Sequence, residues 1–153
     1  MRTIRQPKDV EAIVERLAKT PHPVTKSAIF PTYRDLVCVA AVLGFETGNK
    51  RSFDNNGAID LVDGRIFSND SESMDLLFLV ALADSKDQQM LRADREDECI
   101  AIFEAYAAGG FKVLEDWLRE KPEDPIGDSA ILQALGKYGY LPKEANGSNE
   151  ISF

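Results

Sequence analysis

The sequence predicts a mainly helical protein, a bundle of about six helices behind a short N-terminal strand. Three observations carry that prediction. Apolar residues recur at helical spacing through most of the 153 residues, Gly, Pro and Asn clusters cut them into helix-length pieces, and only Arg2–Gln6 reads as extended. A chain of this length normally buries roughly two thirds of its unfolded surface, enough for one ordinary core.

The elements follow in order. Arg2-Thr3-Ile4-Arg5-Gln6 is the strand, and Pro7 suits the first position of a helix, where its missing N–H costs nothing. Val10, Ile13, Val14 and Leu17 then mark an amphipathic helix that Thr20-Pro21-His22-Pro23 stops. Thr32 is an N-cap for a second helix, with Asp35 three residues on in a variant of the capping box. Leu36, Val37, Val39, Ala40 and Leu43 form its apolar face, and Gly48-Asn49 supplies a left-handed stop. The turn signals Asn55-Asn56-Gly57 and Asp63-Gly64 within 49–70 allow a hairpin.

Asp70 or Ser71 caps a third helix whose run Leu76–Leu82 is apolar on every side, a pattern that belongs in the centre of a bundle. Asp94 and Asp97 open a fourth helix, and Gly109-Gly110 reads as its stop. Phe111, Val113, Leu114, Trp117 and Leu118 face one way on a fifth, ended by Pro122, and Ile131, Leu132 and Leu135 mark a short sixth. The expected organisation is one helical domain over 1–139, with a ribbon–helix–helix-like unit at 1–48, a helical body at 70–139 and a flexible tail at 140–153.

Charge divides the chain unevenly. Residues 1–53 carry nine Lys/Arg against five Asp/Glu, whereas 54–153 carry nine against twenty-one, for a net charge of −8. Such a surface has one face able to meet an anion and one that repels it. No apolar run reaches the ~18 residues that a bilayer requires, and the N-terminus lacks the apolar stretch of a secretory signal. Cys38 and Cys99 sit in apolar helical patterns and read as small buried hydrophobes, which fits a reducing, cytoplasmic setting.

No catalytic constellation emerges. His22 lies between two prolines without a visible partner, so it reads as a solvent-exposed loop residue. Gly109-Gly110 lacks the Lys and Ser/Thr of a phosphate loop. Asp94, Glu96 and Glu98 alternate but do not match a calcium loop, and at a helix start they satisfy the macrodipole. No metal, cofactor or catalytic residue is expected.

The N-terminal unit is the constellation that points to a ligand. Strand, helix and second helix resemble the ribbon–helix–helix plan, in which two chains pair their strands in the DNA major groove. On that mapping Ile4 faces the dimer core, Thr3 and Arg5 face the bases, and Thr32 and Arg34 clamp a phosphate at the second helix N-terminus. Gln6 at a normally apolar position, the long connection Thr20–Pro31 and the acidic remainder depart from it. The alternative is that this unit packs on the other helices and binds no nucleic acid.

Ile29–Leu36, Ala40–Phe45, Leu79–Ala83 and Phe103–Gly110, in that order and spacing, with Glu123-Asp124-Pro125 near the end, carry a family resemblance. From about Arg2 to Leu132 the chain resembles the small accessory family linked to bacterial DNA phosphorothioation, Dnd system-associated protein four. The resemblance implies a part in a defence system that replaces a non-bridging phosphate oxygen of DNA by sulfur and restricts unmarked DNA. It implies no defined reaction and brings no catalytic residues. The N-terminal unit also looks like the small ribbon–helix–helix-like component of the modification machinery. The expected partners are therefore proteins of the modification or restriction complex, with DNA and a second copy of the chain as further candidates and no membrane. A stand-alone dimeric repressor is the second reading, and a hydrolase or nuclease using Asp94 and Glu98 the third.

Overall fold

A 24-residue helix, Glu96–Arg119, forms the axis against which the N-terminal strand and four of the other five helices pack. A computed structural model describes residues 1–142. In chain order it contains β1 (Ile4–Pro7), α1 (Glu11–Lys19), α2 (Tyr33–Glu46), β2 (Ala58–Val62), α3 (Gly64–Ser68), α4 (Ser71–Ser85), the axial helix α5 and α6 (Asp128–Lys137). The protein is mainly helical, with six α-helices and one two-stranded antiparallel sheet among the described residues. The expected tail passes outside the described residues from 143 onward.

Gly109-Gly110 is not a stop. The predicted fourth and fifth helices are one continuous α5, and the two glycines lie inside it. Glycine costs a helix interior about 1 kcal/mol in propensity, and close packing is what offsets it here. A Cβ on Gly110 would stand 1.7 Å from the Ala40 carbonyl oxygen of α2, and one on Gly109 would stand 1.8 Å from the Asn49 carbonyl oxygen. From the other side, a Cβ on Gly44 of α2 would meet the Tyr106 carbonyl oxygen at 1.9 Å. Gly44 and Gly110 thus let the two helix backbones touch, and Gly109 admits the chain just after α2.

The same reason corrects the expected place of Leu76–Leu82. That run forms most of α4, but α4 lies at the side of the bundle and leaves Leu79 60% exposed. The small residues Ala105, Ala107, Ala108, Gly109 and Gly110 let neighbours close on α5 from several directions, so α5 takes the centre. Phe67 and Phe103 meet edge to face at 5.6 Å and close the core under α3.

Pro7 does not start a helix either. It ends β1 in extended geometry, and a 3₁₀ turn over Lys8–Val10 separates it from α1. No hairpin forms within 49–70, because β2 pairs with β1 and is followed directly by α3. Ile4 faces Val62, Arg5 faces Asp60, Gln6 faces Ile59 and Pro7 faces Ala58. The register shift between Ile4 and Arg5 leaves Leu61 as an extra residue on β2. That bulge allows the adjacent Leu61 and Val62 both to be buried, which strict alternation forbids. The strand that a ribbon plan pairs with a second chain is thus paired inside its own chain.

The caps match the sequence reading. Thr32 Oγ1 accepts from the Asp35 N–H at 3.0 Å, Asp70 from the Ser73 N–H at 2.9 Å, and Gly48 takes φ +71° after α2. One cap was not foreseen. The buried Asp124 carboxylate accepts from the N–H groups of Ile126, Gly127 and Ala130 at 3.0–3.2 Å and holds the start of α6. Burial is the largest single influence on its carboxyl and favours the neutral acid, but the converging N–H groups together hold it below its ordinary value of 3.8.

Two outcomes follow from this packing. Gly110→Ala loses about 3 kcal/mol or more in urea unfolding, whereas Gly136→Ala, with nothing within 4 Å of its Cβ, is neutral or gains up to about 1 kcal/mol. Because Asp124 ionises more readily folded than unfolded, its contribution is fully present above pH 3.8 and is lost as pH falls through the lower folded value. Asp124→Asn, which lacks that linkage, shows a smaller loss of stability between pH 5 and pH 3 than the natural chain does.

Candidate functional site

Three of the four predicted DNA contacts fall into two hollows, and Thr3 lines neither. Arg5 lines one of about 350 Å³ together with Arg2, Ser52, Phe53 and Asn55. Its Nη1 donates to Asn55 Oδ1 at 2.5 Å, and its backbone N–H donates to Glu104 Oε2 at 2.6 Å. Thr3 lies half-buried beside it at the strand entrance. Thr32 and Arg34 line another hollow of about 230 Å³, against Val62, Asp63 and Ile66. Thr32 spends its hydroxyl oxygen on the α2 cap, and the Nε of half-buried Arg34 has no hydrogen-bond partner among the described residues.

Glu104 organises the first hollow, and no sequence signal pointed to it. It is 4% exposed in the middle of α5, within a run that reads as apolar core. Arg2 donates to it from Nη1 and Nη2 at 2.8 and 2.9 Å, in the bidentate geometry of a strong charge-assisted pair. Together with the Arg5 N–H, these bonds pin β1 to the axial helix. Gln6, which departs from the ribbon plan, is buried on the same side of the strand as Ile4, and its Oε1 has no partner among the described residues.

The reactive residue types are held in non-reactive states. The His22 loop is ordered: Nδ1 accepts from the Val24 N–H at 3.0 Å, and Nε2 lies 3.2 Å from Asp128 Oδ2. A neutral ring in that setting carries its proton on Nε2, so neither nitrogen has a free lone pair to act as a base. His22 therefore has a partner that its sequence neighbours did not reveal. Burial pushes both thiols up, with Cys38 half-buried and Cys99 fully buried and donating to the Met90 carbonyl at 3.1 Å. Asp94 pairs with Arg92 and Glu98 with Arg95, on or beside the first turn of α5. Among the described residues no group of three or more His, Cys, Asp or Glu is placed to hold a metal ion.

A second polar cluster ties α2, α4 and α5 together. Tyr106 donates its hydroxyl proton to Asp84 Oδ1 at 2.6 Å, and Lys50 Nζ reaches both Asp84 oxygens at 3.1 and 3.2 Å. Burial first, and the bond to Asp84 second, push Tyr106 up to about 12. That bond, with Lys50, in turn holds Asp84 below its ordinary value despite burial. Tyr106 stays a protonated donor at neutral pH, which suits a strut and not a base.

One hollow is apolar. A groove of about 610 Å³ runs between α2, α5 and α6, and Val39, Val42 and Glu46 of α2 form one bank. Leu76 of α4, Trp117 of α5 and Leu135 of α6 contribute the floor and the opposite side. Val39 and Val42 are 43% and 45% exposed, so the bank is open to solvent. Beyond α6, Tyr138 stacks on Trp117 at 5.9 Å and Tyr140 tilts against the same ring at 6.3 Å. Periodicity put Val39 on the apolar face of α2 and left Val42 out of it, and only the packing tells which stripe is left uncovered.

The family model described as DNA sulphur modification system-associated protein 4 matches residues 3–138. The chain belongs to that family. No curated protein and no solved structure matches it. Membership of the DNA sulphur modification system-associated protein 4 family connects the protein with a DNA sulphur modification system. No helix among the described residues is long and apolar enough to cross a membrane, so neither the groove nor α4 has that role.

The Glu104 pair makes a direct prediction. Glu104→Ala leaves the Arg2 guanidinium and the Arg5 N–H without their acceptor, at a loss of about 2–3 kcal/mol. The loss sits at the low end for a buried pair because Arg2 is 27% exposed. Hydrogen exchange at β1 amides accelerates in this variant before global unfolding.

Proposed function

We propose that the protein is a non-catalytic accessory component of phosphorothioation-linked restriction–modification in phage defence, acting in the cytoplasm by holding other proteins of the system. The observation that carries this reading is the open apolar groove on a chain of the DNA sulphur modification system-associated protein 4 family. A solvent-exposed apolar concavity of this size, bordered by helices, is the usual form of a protein-docking surface. The non-catalytic part is supported by the occupied nitrogens of His22, the raised thiols and the protonated Tyr106.

DNA contact through Thr3, Arg5, Thr32 and Arg34 is the second reading, favoured by the basic excess of residues 1–53. Two facts weigh against it: Arg5 lines one hollow while Thr32 and Arg34 line another, and Glu104 and Asn55 already engage the Arg5 region.

Affinity capture on the tagged full-length chain, from a host carrying the complete modification and restriction locus, tests the first reading. Specific recovery of at least one protein of that locus is expected, and recovery of none overturns it. For the second, duplex DNA at low salt is retarded, and Arg5→Ala and Arg34→Ala weaken the retardation. Absence of any shift at low salt removes DNA contact, since phosphate contacts are strongest there.

A further inference from the structure

We infer that the groove takes a short amphipathic helix of a partner protein, apolar on one face and basic at both ends. This inference rests on the protein-docking reading above and names the chemistry of what docks. The apolar requirement comes from the walls: Val39, Val42, Leu43, Leu76, Leu114 and Leu135 are aliphatic, and the described lining adds only the Trp117 indole N–H, the Tyr140 hydroxyl and the Cys38 thiol as neutral polar groups. A polar small molecule would find few convergent polar groups to orient it. A helix needs none, because its backbone is satisfied internally and only its i, i+3, i+4, i+7 side chains enter the groove.

The basic requirement comes from the rim. Among the described residues Glu46 is the only charged residue lining the groove, and it makes no ion pair there. At the other end Asp35 stands on the same face of α2, since Asp35, Val39, Val42 and Glu46 follow one another at helical spacing. Asp35 also makes no ion pair among the described residues. Asp35 and Glu46 lie eleven residues apart on α2, or ~17 Å along the helix. That distance corresponds to about three turns of a helix lying alongside, with cations at both ends of its apolar stripe. Among the described residues no Lys or Arg lines the groove. A second copy of this chain would bring another net charge of −8 to an acidic rim, so like charges oppose that occupant.

The protein carries its own reporter. Trp117 lines the groove and is the only tryptophan of the chain. The test titrates the full-length protein with two 15-residue helix-forming peptides that share one leucine stripe. One is flanked by lysines and the other by glutamates, and both are followed by Trp117 fluorescence. The lysine peptide is expected to bind saturably and several-fold more tightly than the glutamate peptide. The double variant Val39→Asn/Val42→Asn weakens its binding about tenfold or more, through lost apolar contact. Both valines are solvent-exposed enough for the variant to fold, which an unchanged thermal midpoint within a few degrees establishes. Glu46→Lys narrows the preference between the two peptides by roughly twofold to fivefold. Absence of saturable binding, equal binding of both peptides, binding indifferent to the valine pair, or a concentration-dependent dimer that the valine variant dissolves each overturns the proposal. The locus capture with the valine variant separates the two readings. If the natural chain recovers its partner and the variant recovers it equally well, protein docking stands and the groove is not its place. If only the natural chain recovers it, both stand.

Discussion

The contact between the α2 and α5 backbones is the constraint on which the rest of the molecule depends. Gly44 and Gly110 bring carbonyl oxygens of one helix into space that any side chain on the other would fill, and Gly109 does the same for Asn49 just beyond α2. Helices that close leave no room for sliding or rotation without collision, so the register of α2 on α5 is set at this point. With that register set, Glu104 lies beneath β1, Tyr106 faces Asp84, and Trp117 forms the floor of the groove.

The polar groups of the interior act as positional ties along α5. Glu104 anchors the strand near its middle, and Tyr106 ties α4 and the segment after α2 through Asp84 and Lys50. Beyond its C-terminal end, Asp124 caps α6. Glu104 and Tyr106 reach partners far away in sequence, whereas Asp124 gathers N–H groups within six residues of itself. Each of these ties is satisfied within the fold, as burial requires. The valine bank of α2 is left uncovered among the described residues.

Much of the fold was legible because it depends on local chemistry. The caps at Thr32 and Asp70, the positive-φ glycine after α2 and the helical stripes on α1, α5 and α6 rest on interactions within one turn or one helix face. The candidate site was far less legible. Val39 looked like core, Thr3 and Arg5 looked like a DNA ribbon, and nothing in the sequence pointed to Glu104 as an anchor. In each case the missing information was the identity of the neighbour. An apolar stripe does not reveal whether something covers it, and a strand does not reveal which strand it will pair with.

The clearest division lies at Gly109-Gly110. Composition, periodicity and end signals were sufficient for a mainly helical chain, for most helix boundaries and for the family, because those properties reside in short-range order and spacing. Whether two glycines end a helix or admit a neighbour into its flank is a different kind of question. Propensity alone favours an end by about 1 kcal/mol per glycine. The close packing of α2 outweighs it, and that packing exists only once residues some seventy positions apart in the chain are brought together. The continuous α5, the intrachain β1–β2 pair and the open groove all follow from that long-range choice.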